Sequence, residues 1–343
     1  MQGERNDFPY RIGHLPRGRR NLISDVPGVM VGHFTLADGT VQTGVTALLP
    51  QAGNCFRDKL PAACHVINGF GKSLGLMQIE ELGQLETPIV LTNTLSVGTA
   101  WTALASHMLA QNPDIGRETG TINPIVMECN DGYLNDIRGM HVRQEHVQEA
   151  IDKADQDFAQ GAVGAGRGMR CHGLKGGIGS ASRLIRIDQA DYCLGALVLS
   201  NHGHLRDLRI DGDPVGERLA QTAHSPEQGS VIVILGTDLP LSSPQLKRLC
   251  HRAVAGLCRT GANIGHGSGE VVLAFSTAQT IKHDDIDPFR QIRELNEHSI
   301  DLAFRAVAES VEEAVLCSLW YAESVEGRDG HRAMSLREAL AEN

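Results

Sequence analysis

Gly229 and Ser230 stand where the chain changes character abruptly. Upstream lies a polar run, TAHSPEQG at 222–229; downstream, VIVIL at 231–235 is β-branched and apolar, the pattern of a buried strand. Ser230 is therefore expected to open a core strand at the end of a surface loop. A hydroxyl there can attack the carbonyl of the residue before it, and Gly229 has no Cβ to resist the backbone distortion this needs. Cleavage would leave Ser230 as a new N-terminus. Its α-amine, with an ordinary pKa of about 7.7–8.0, suits a general base near neutral pH. A plain loop-to-strand junction is the commoner meaning of a Gly-Ser pair, so other residues have to decide. Ser268 and Glu270, in NIGHGSGE at 263–270, precede the apolar run VVLAF at 271–275. If the strand already runs there, two residues apart puts both side chains on one face. Glu128 opens ECNDGYLND at 128–136, a strand-end loop dense in polar groups that reads as a site or, equally, as an Asx-rich turn.

These groups need elements to hold them. Strands are expected after the Pro27-Gly28 turn and at 44–49, 62–67, 87–92, 122–127, 192–199, 231–235 and 271–275. Helical spacing of apolar residues appears after Leu74. It recurs from a Ser96 cap through Ala100, Trp101, Leu104, Ala105, Met108 and Leu109. Further helices are expected at 142–159, from Ser242-Ser243-Pro244 to near Gly261, and at 299–324. The tail beyond Gly327 is charged and expected to be mobile. Glycines cluster in short turns and, at 161–168 and 173–179, in runs that suggest close backbone packing.

The totals exclude several classes. The chain has 343 residues, 41% hydrophobic, with a net charge of −10 and no basic stripe, which argues against nucleic-acid binding. No run reaches membrane-spanning length and the first residues lack an apolar signal region, so a cytoplasmic protein is expected. Eight scattered cysteines without a C-x-x-C pair read as reduced core residues. The NGFGKS run at 68–73 mimics a phosphate loop, but Val66 stands where that motif needs glycine. GAGRGM at 164–169 fails the dinucleotide pattern at Met169, and His266 breaks a G-x-S-x-G elbow around Ser268. His202 and His204 lie two apart, yet no acid or Cys cluster in sequence completes a metal set, so a turn is expected and no metal.

In order along nearly the whole chain, one set of segments is specific where each alone is weak. The set comprises NLISDVPGVMVGH (21–33), GVTALLP (44–50), ETPIVLTNTLSVG (86–98), ECNDGYLND (128–136), VGAGRGM (163–169), LKGGIGSASR (174–183), the strand end at Asn201, QGSVIVILGTDLPL (228–241) and HGSGEVVLAFST (266–277). Together they resemble the L-aminopeptidase/D-amino-acid esterase family and its β-aminopeptidase relatives. The resemblance implies an αββα four-layer sandwich, layered like N-terminal-nucleophile hydrolases but connected differently. It implies one catalytic domain over 1–343, self-cleaved between Gly229 and Ser230 into 1–229 and 230–343. It also implies a homo-oligomer, a tetramer in this family, with no cofactor, acting on small peptides or aminoacyl amides and esters. Carried over by position, Ser230 is the nucleophile and Ser268 and Glu270 orient it. Asn201 is an oxyanion-hole amide, and Glu128 receives the substrate ammonium. Asn130 stands where some members have a tyrosine near the oxyanion, and Lys72 where an acid is expected. The rival enzyme reading is an acyltransferase of the ornithine acetyltransferase type, whose nucleophile is typically threonine rather than serine.

Overall fold

The computed structural model describes residues 8–220 and 228–342, so the polar run at 221–227 and both chain ends lie outside the described residues. Strands β1 (Met30–Asp38), β2 (Val41–Leu49), β3 (Asp58–Gly69), β4 (Gln84–Leu85), β5 (Ile89–Asn93) and β6 (Ile125–Cys129) come first. They are followed by β7 (Arg170–Cys171), β8 (Leu174–Lys175), β9 (Gly177–Ile187), β10 (Ala190–Asn201), β11 (Gln228–Thr237), β12 (Gly267–Ser276) and β13 (Ile281–Lys282), with short helices α1 (Leu76–Leu82) after β3 and α4 (Val215–Leu219) after β10. One sheet has the order β1-β2-β5-β6, and the larger has β13-β3-β12-β11-β10-β9 with β4 beside β3. The central β11–β12 pair is parallel, whereas its flanking pairs with β10 and β3 are antiparallel.

Period-two alternation builds the layers. On β11, Ile232 and Ile234 meet Leu48, Leu91 and Met127 of the smaller sheet, together with Leu197 and Leu273 of their own. Val231, Val233 and Leu235 face the other way, toward helices α5 (Ser243–Arg259) and α6 (Asp301–Trp320). Helices α2 (Val97–Gln111) and α3 (Gln144–Asp152) cover the outer face of the smaller sheet through Leu104, Met108, Val147 and Ile151. Helix, sheet, sheet and helix are thus the four layers expected. Glycine permits the closest contact: a Cβ at Gly179 on β9 would fall 1.9 Å from the Ala314 carbonyl of α6. No disulfide joins the eight cysteines, and Cys258 alone of them is exposed. No helix among the described residues is long and apolar enough to cross a membrane.

Four expectations need correction. Helix α3 stops at Asp152 because the next residues turn to pair with β1, Asp155 exchanging both backbone hydrogen bonds with Val31. Ser96 makes no side-chain cap; the Asn93 amide oxygen accepts the Ser96 N–H instead, at 3.1 Å. On α2 the buried residues are Val97, Ala100, Ala103, Leu104, Ala105 and Met108, while Trp101 and Leu109 are exposed. The tail is not loose. Beyond Gly327, β15 (Arg332–Ala333) pairs back with β14 (Val325–Glu326), and helix α7 (Leu336–Ala341) buries Leu336 in the core with α6. Its charges sit on the outside of a packed segment.

Candidate active site

The sheet register gathers the residues that the sequence left far apart. Ser230, third residue of β11, pairs with Asn201 at the end of β10 on one side and with Gly269 of β12 on the other. Paired residues share a face, so Ser230 and Asn201 point the same way, and glycine opposite leaves that face open for backbone. The vacancy is filled: a Cβ on Gly269 would lie 2.8 Å from the Phe70 carbonyl oxygen. Gly229 is also fixed by packing, since a Cβ there would stand 2.2 Å from the Asn201 carbonyl oxygen. Glycine is required at 229 by the close approach of the β10 end, and not only by freedom at a scissile bond.

Ser268 and Glu270 flank Gly269 inside β12, because the strand begins at Gly267, before the apolar run. Two apart on one strand, they share a face, and the Ser268 hydroxyl donates to Glu270 Oε1; both are buried. Ser230 is buried too, 4% exposed, and its hydroxyl makes no hydrogen bond within the described residues. It lies close enough to the Cys129 thiol to act on its acidity. Burial in turn holds that thiol well above the usual range, so Cys129 is neutral. The Asn201 amide is held at both ends. Its nitrogen donates to the Asn130 carbonyl (3.0 Å) and its oxygen accepts the Arg170 N–H (2.9 Å).

Glu128 sits within β6, one residue before Cys129, rather than in the loop beyond it. Its carboxylate accepts the Lys72 N–H at 2.8 Å and the Thr94 hydroxyl. A carboxylate has about four lone-pair sites, so acceptor capacity remains. The 70–72 backbone bridges the two sheets here. Gly71 N lies 3.2 Å from the Cβ position of Gly269, and the Cβ position of Gly71 lies 3.6 Å from Glu128 Oε1. The NGFGKS run thus passes between Gly269 and Glu128, with its Lys72 N–H given to a carboxylate, which is no phosphate cradle. The Lys72 side chain is exposed and lies over the Phe70 ring.

The polar loop at 128–136 divides its labour. Asp131 turns inward, accepts from Asn135 at 3.0 Å, and is pushed up to about 7 by burial. Asn130 is exposed, and its side-chain oxygen closes a turn on the Gly132 N–H. The Asx-turn reading therefore covers 130–135, and Glu128 stands apart from it on β6. Sequence reasoning missed three supporting residues. Asn68 donates its amide to the carbonyls of Gly265, His266 and Ser268, fixing the approach to β12. Thr94 holds Glu128, and Cys129 faces Ser230 across the sheets. Only Asn68 left a signal, an amide opening a glycine-rich strand end. The expectation for the histidines also changes. His204 contributes a carbonyl, while His202 meets Cys171 and His172, about thirty residues earlier, in a buried cluster.

With this geometry in place, likeness to known proteins can be weighed. Residues 21–333 match the model of peptidase family S58. The chain belongs to peptidase family S58. A β-peptidyl aminopeptidase, BapA of Sphingosinicella microcystinivorans, is 37% identical to this S58 chain, with 94% of this chain and 87% of BapA aligned. Among solved structures, the PH0078 protein of Pyrococcus horikoshii OT3 superposes with a TM-score of 0.93 at 49% identity, over 97% and 96% of the two chains. The L-aminopeptidase D-Ala-esterase/amidase of Ochrobactrum anthropi superposes with a TM-score of 0.87 at 34% identity, over 96% of each chain. That structure is described as a prototype for the serine aminopeptidases and a new variant among the Ntn hydrolase folds. The S58 chain is accordingly a serine aminopeptidase, a hydrolase. Nothing in these likenesses favours the acyltransferase alternative.

Proposed function

We propose that this serine aminopeptidase makes its own nucleophile by cutting between Gly229 and Ser230, and then releases N-terminal residues from small peptides, amides or esters through an acyl-enzyme. The register Asn201–Ser230–Gly269 carries the reading, because it sets a buried serine between an anchored amide and a strand whose Ser268 and Glu270 are hydrogen-bonded together. In the first step Ser230 Oγ attacks the Gly229 carbonyl carbon. The C–N bond breaks as the acyl group moves to oxygen, and the freed amine takes a proton. Water then hydrolyses the ester, leaving the Gly229 carboxylate and Ser230 with its hydroxyl and α-amine. In turnover the same hydroxyl attacks the substrate carbonyl, and the α-amine takes its proton.

Asn201 suits the oxyanion because its amide is held before any substrate arrives, so no reorganisation is needed as charge develops. Glu128 would receive the substrate ammonium with the acceptor capacity its two protein donors leave. Asn130 contributes through its backbone carbonyl, which orients Asn201, and Lys72 through the N–H that holds Glu128. By family likeness the mature enzyme is a homo-oligomer, which sedimentation of the purified protein would test. Intact-mass analysis tests the core of the proposal. Freshly expressed protein is expected as fragments 1–229 and 230–343, and Ser230→Ala as one uncut, inactive chain. A stable full-length species with full activity would overturn it.

A further inference from the structure

We propose that Cys171, His172 and His202 form a binding site for one copper(I) ion, held by a thiolate and two imidazoles beside the Asn201 strand end. The three donor atoms lie within 4.8 Å of one another, and all three residues are buried. Cys171 Sγ is 4.0 Å from His202 Nδ1. A sulfur and a nitrogen bound to one metal at about 2.3 and 2.0–2.1 Å stand roughly 3.8 Å apart at a trigonal angle, so little closure is needed.

The protein has shaped His172 for the purpose. Its backbone takes the left-handed conformation (φ 48°), uncommon outside glycine, and is held there by donating its N–H to the His202 carbonyl at 2.6 Å. Its Nδ1 lies 3.1 Å from the His204 carbonyl, which can only accept, so Nδ1 carries the proton and Nε2 a lone pair. Metal-bound histidines are typically fixed this way, the second ring nitrogen donating to a carbonyl. Nε2 of His172 is buried with no hydrogen bond among the described residues, and Nδ1 of His202 has the Cys171 sulfur as its neighbour. A buried ring nitrogen without a partner is costly, and a metal ion, unlike a water with its two to four partners, needs only these donors.

The donor set selects the ion. Thiolate with two imidazoles and no carboxylate suits copper, and copper(I) is content with three soft ligands where zinc seeks a fourth. On binding, the Cys171 thiol gives up its proton as the sulfur–copper bond forms; no electron moves. The ion would tie β7 to the end of β10, the same two segments that hold the Asn201 amide through the Arg170 N–H. The site does not depend on what Asn201 or Ser230 does in catalysis.

Full-length protein carrying Cys258→Ser, which removes the exposed thiol, is titrated with copper(I) against a chromophoric chelator and, separately, with zinc. One equivalent of copper is expected to bind, falling below about 0.1 equivalent in Cys171→Ser and weakening at least ~10-fold in His202→Gln. Copper-edge absorption of the loaded parent should show one sulfur and two nitrogens, which decides the matter even if a variant fails to fold. Copper bound equally by Cys171→Ser, a shell without that composition, or zinc held more tightly than copper would each overturn the proposal.

Discussion

A serine hydroxyl is a weak nucleophile at neutral pH and loses its proton only with help. Before cleavage Ser230 has no α-amine, so Ser268 and Glu270 are the groups proposed to act in both steps. Their hydrogen bond is buried, and losing it costs about 1–3 kcal/mol. Ser268→Ala and Glu270→Gln should therefore fold with modestly lowered melting temperatures, yet mature and turn over ~10²–10⁴-fold more slowly. Folding and rate measured on the same samples separate the roles. Near wild-type rates in both variants would make the pair structural. Glu128 makes a different prediction, since it is proposed to touch substrate and not the scissile bond. Loss of a charge-assisted bond to an ammonium weakens free-amine substrates by roughly 10- to 150-fold. Glu128→Gln should raise KM accordingly and still be cut at Ser230, and N-acetylated substrates should be poor for the wild type. Equal use of blocked and free substrates would refute the assignment.

Element by element, the site depends on how strand ends are stacked. The β10–β11–β12 register sets Asn201, Ser230 and Gly269 in a row, and two glycines permit it. Gly229→Ala introduces a methyl 2.2 Å from the Asn201 carbonyl oxygen, so the β10 end must move from its partner. A misplacement near 1 Å can cost ~10²-fold, and maturation of this variant should slow to about that extent while the hydroxyl is untouched. A fragment time course that matches wild type would show that the junction tolerates the shift. Lys175 serves the same architecture from behind. Its buried ammonium donates to the carbonyls of Gly166, Met169 and Gly176 at 2.6–2.9 Å, closing the glycine-rich loop over β9.

At the scale of the molecule, the N-terminal segment and β9 are bound to α6 by buried charge. Arg183, fully buried, meets Glu313 at 2.6 Å and Glu309 at 3.3 Å and donates to the Ile12 carbonyl. Glu309 also accepts the Leu15 N–H, and Glu313 pairs with Arg17. Removing Arg183 takes the buried cation from Glu309 and leaves Glu313 to Arg17, and breaking a buried pair typically costs about 3–5 kcal/mol. Arg183→Met should lower the unfolding free energy measured in urea by an amount of that order. A loss under about 1 kcal/mol would mean that the carboxylates regain solvent or partners.

The sequence alone determined most elements, because burial writes a period of two into strands and of 3.6 into helices, and the four layers came from the ordered family likeness. It also marked Ser230, Ser268, Glu270, Asn201 and Glu128 as candidates, through a junction, a spacing and an ordered family likeness. It did not carry the contacts made at a distance. The end of α3 is set by pairing with β1, the order of the tail by α6, and the anchoring of Asn201 by Arg170 and Asn130. The cluster of Cys171, His172 and His202 was invisible for the same reason. A pattern search sees spacing along the chain, whereas a donor set is defined by distances in space. The antiparallel pairing of β9 with β10, the β7–β8 turn and the His172 N–H to His202 carbonyl bond bring residue 171 back beside 202.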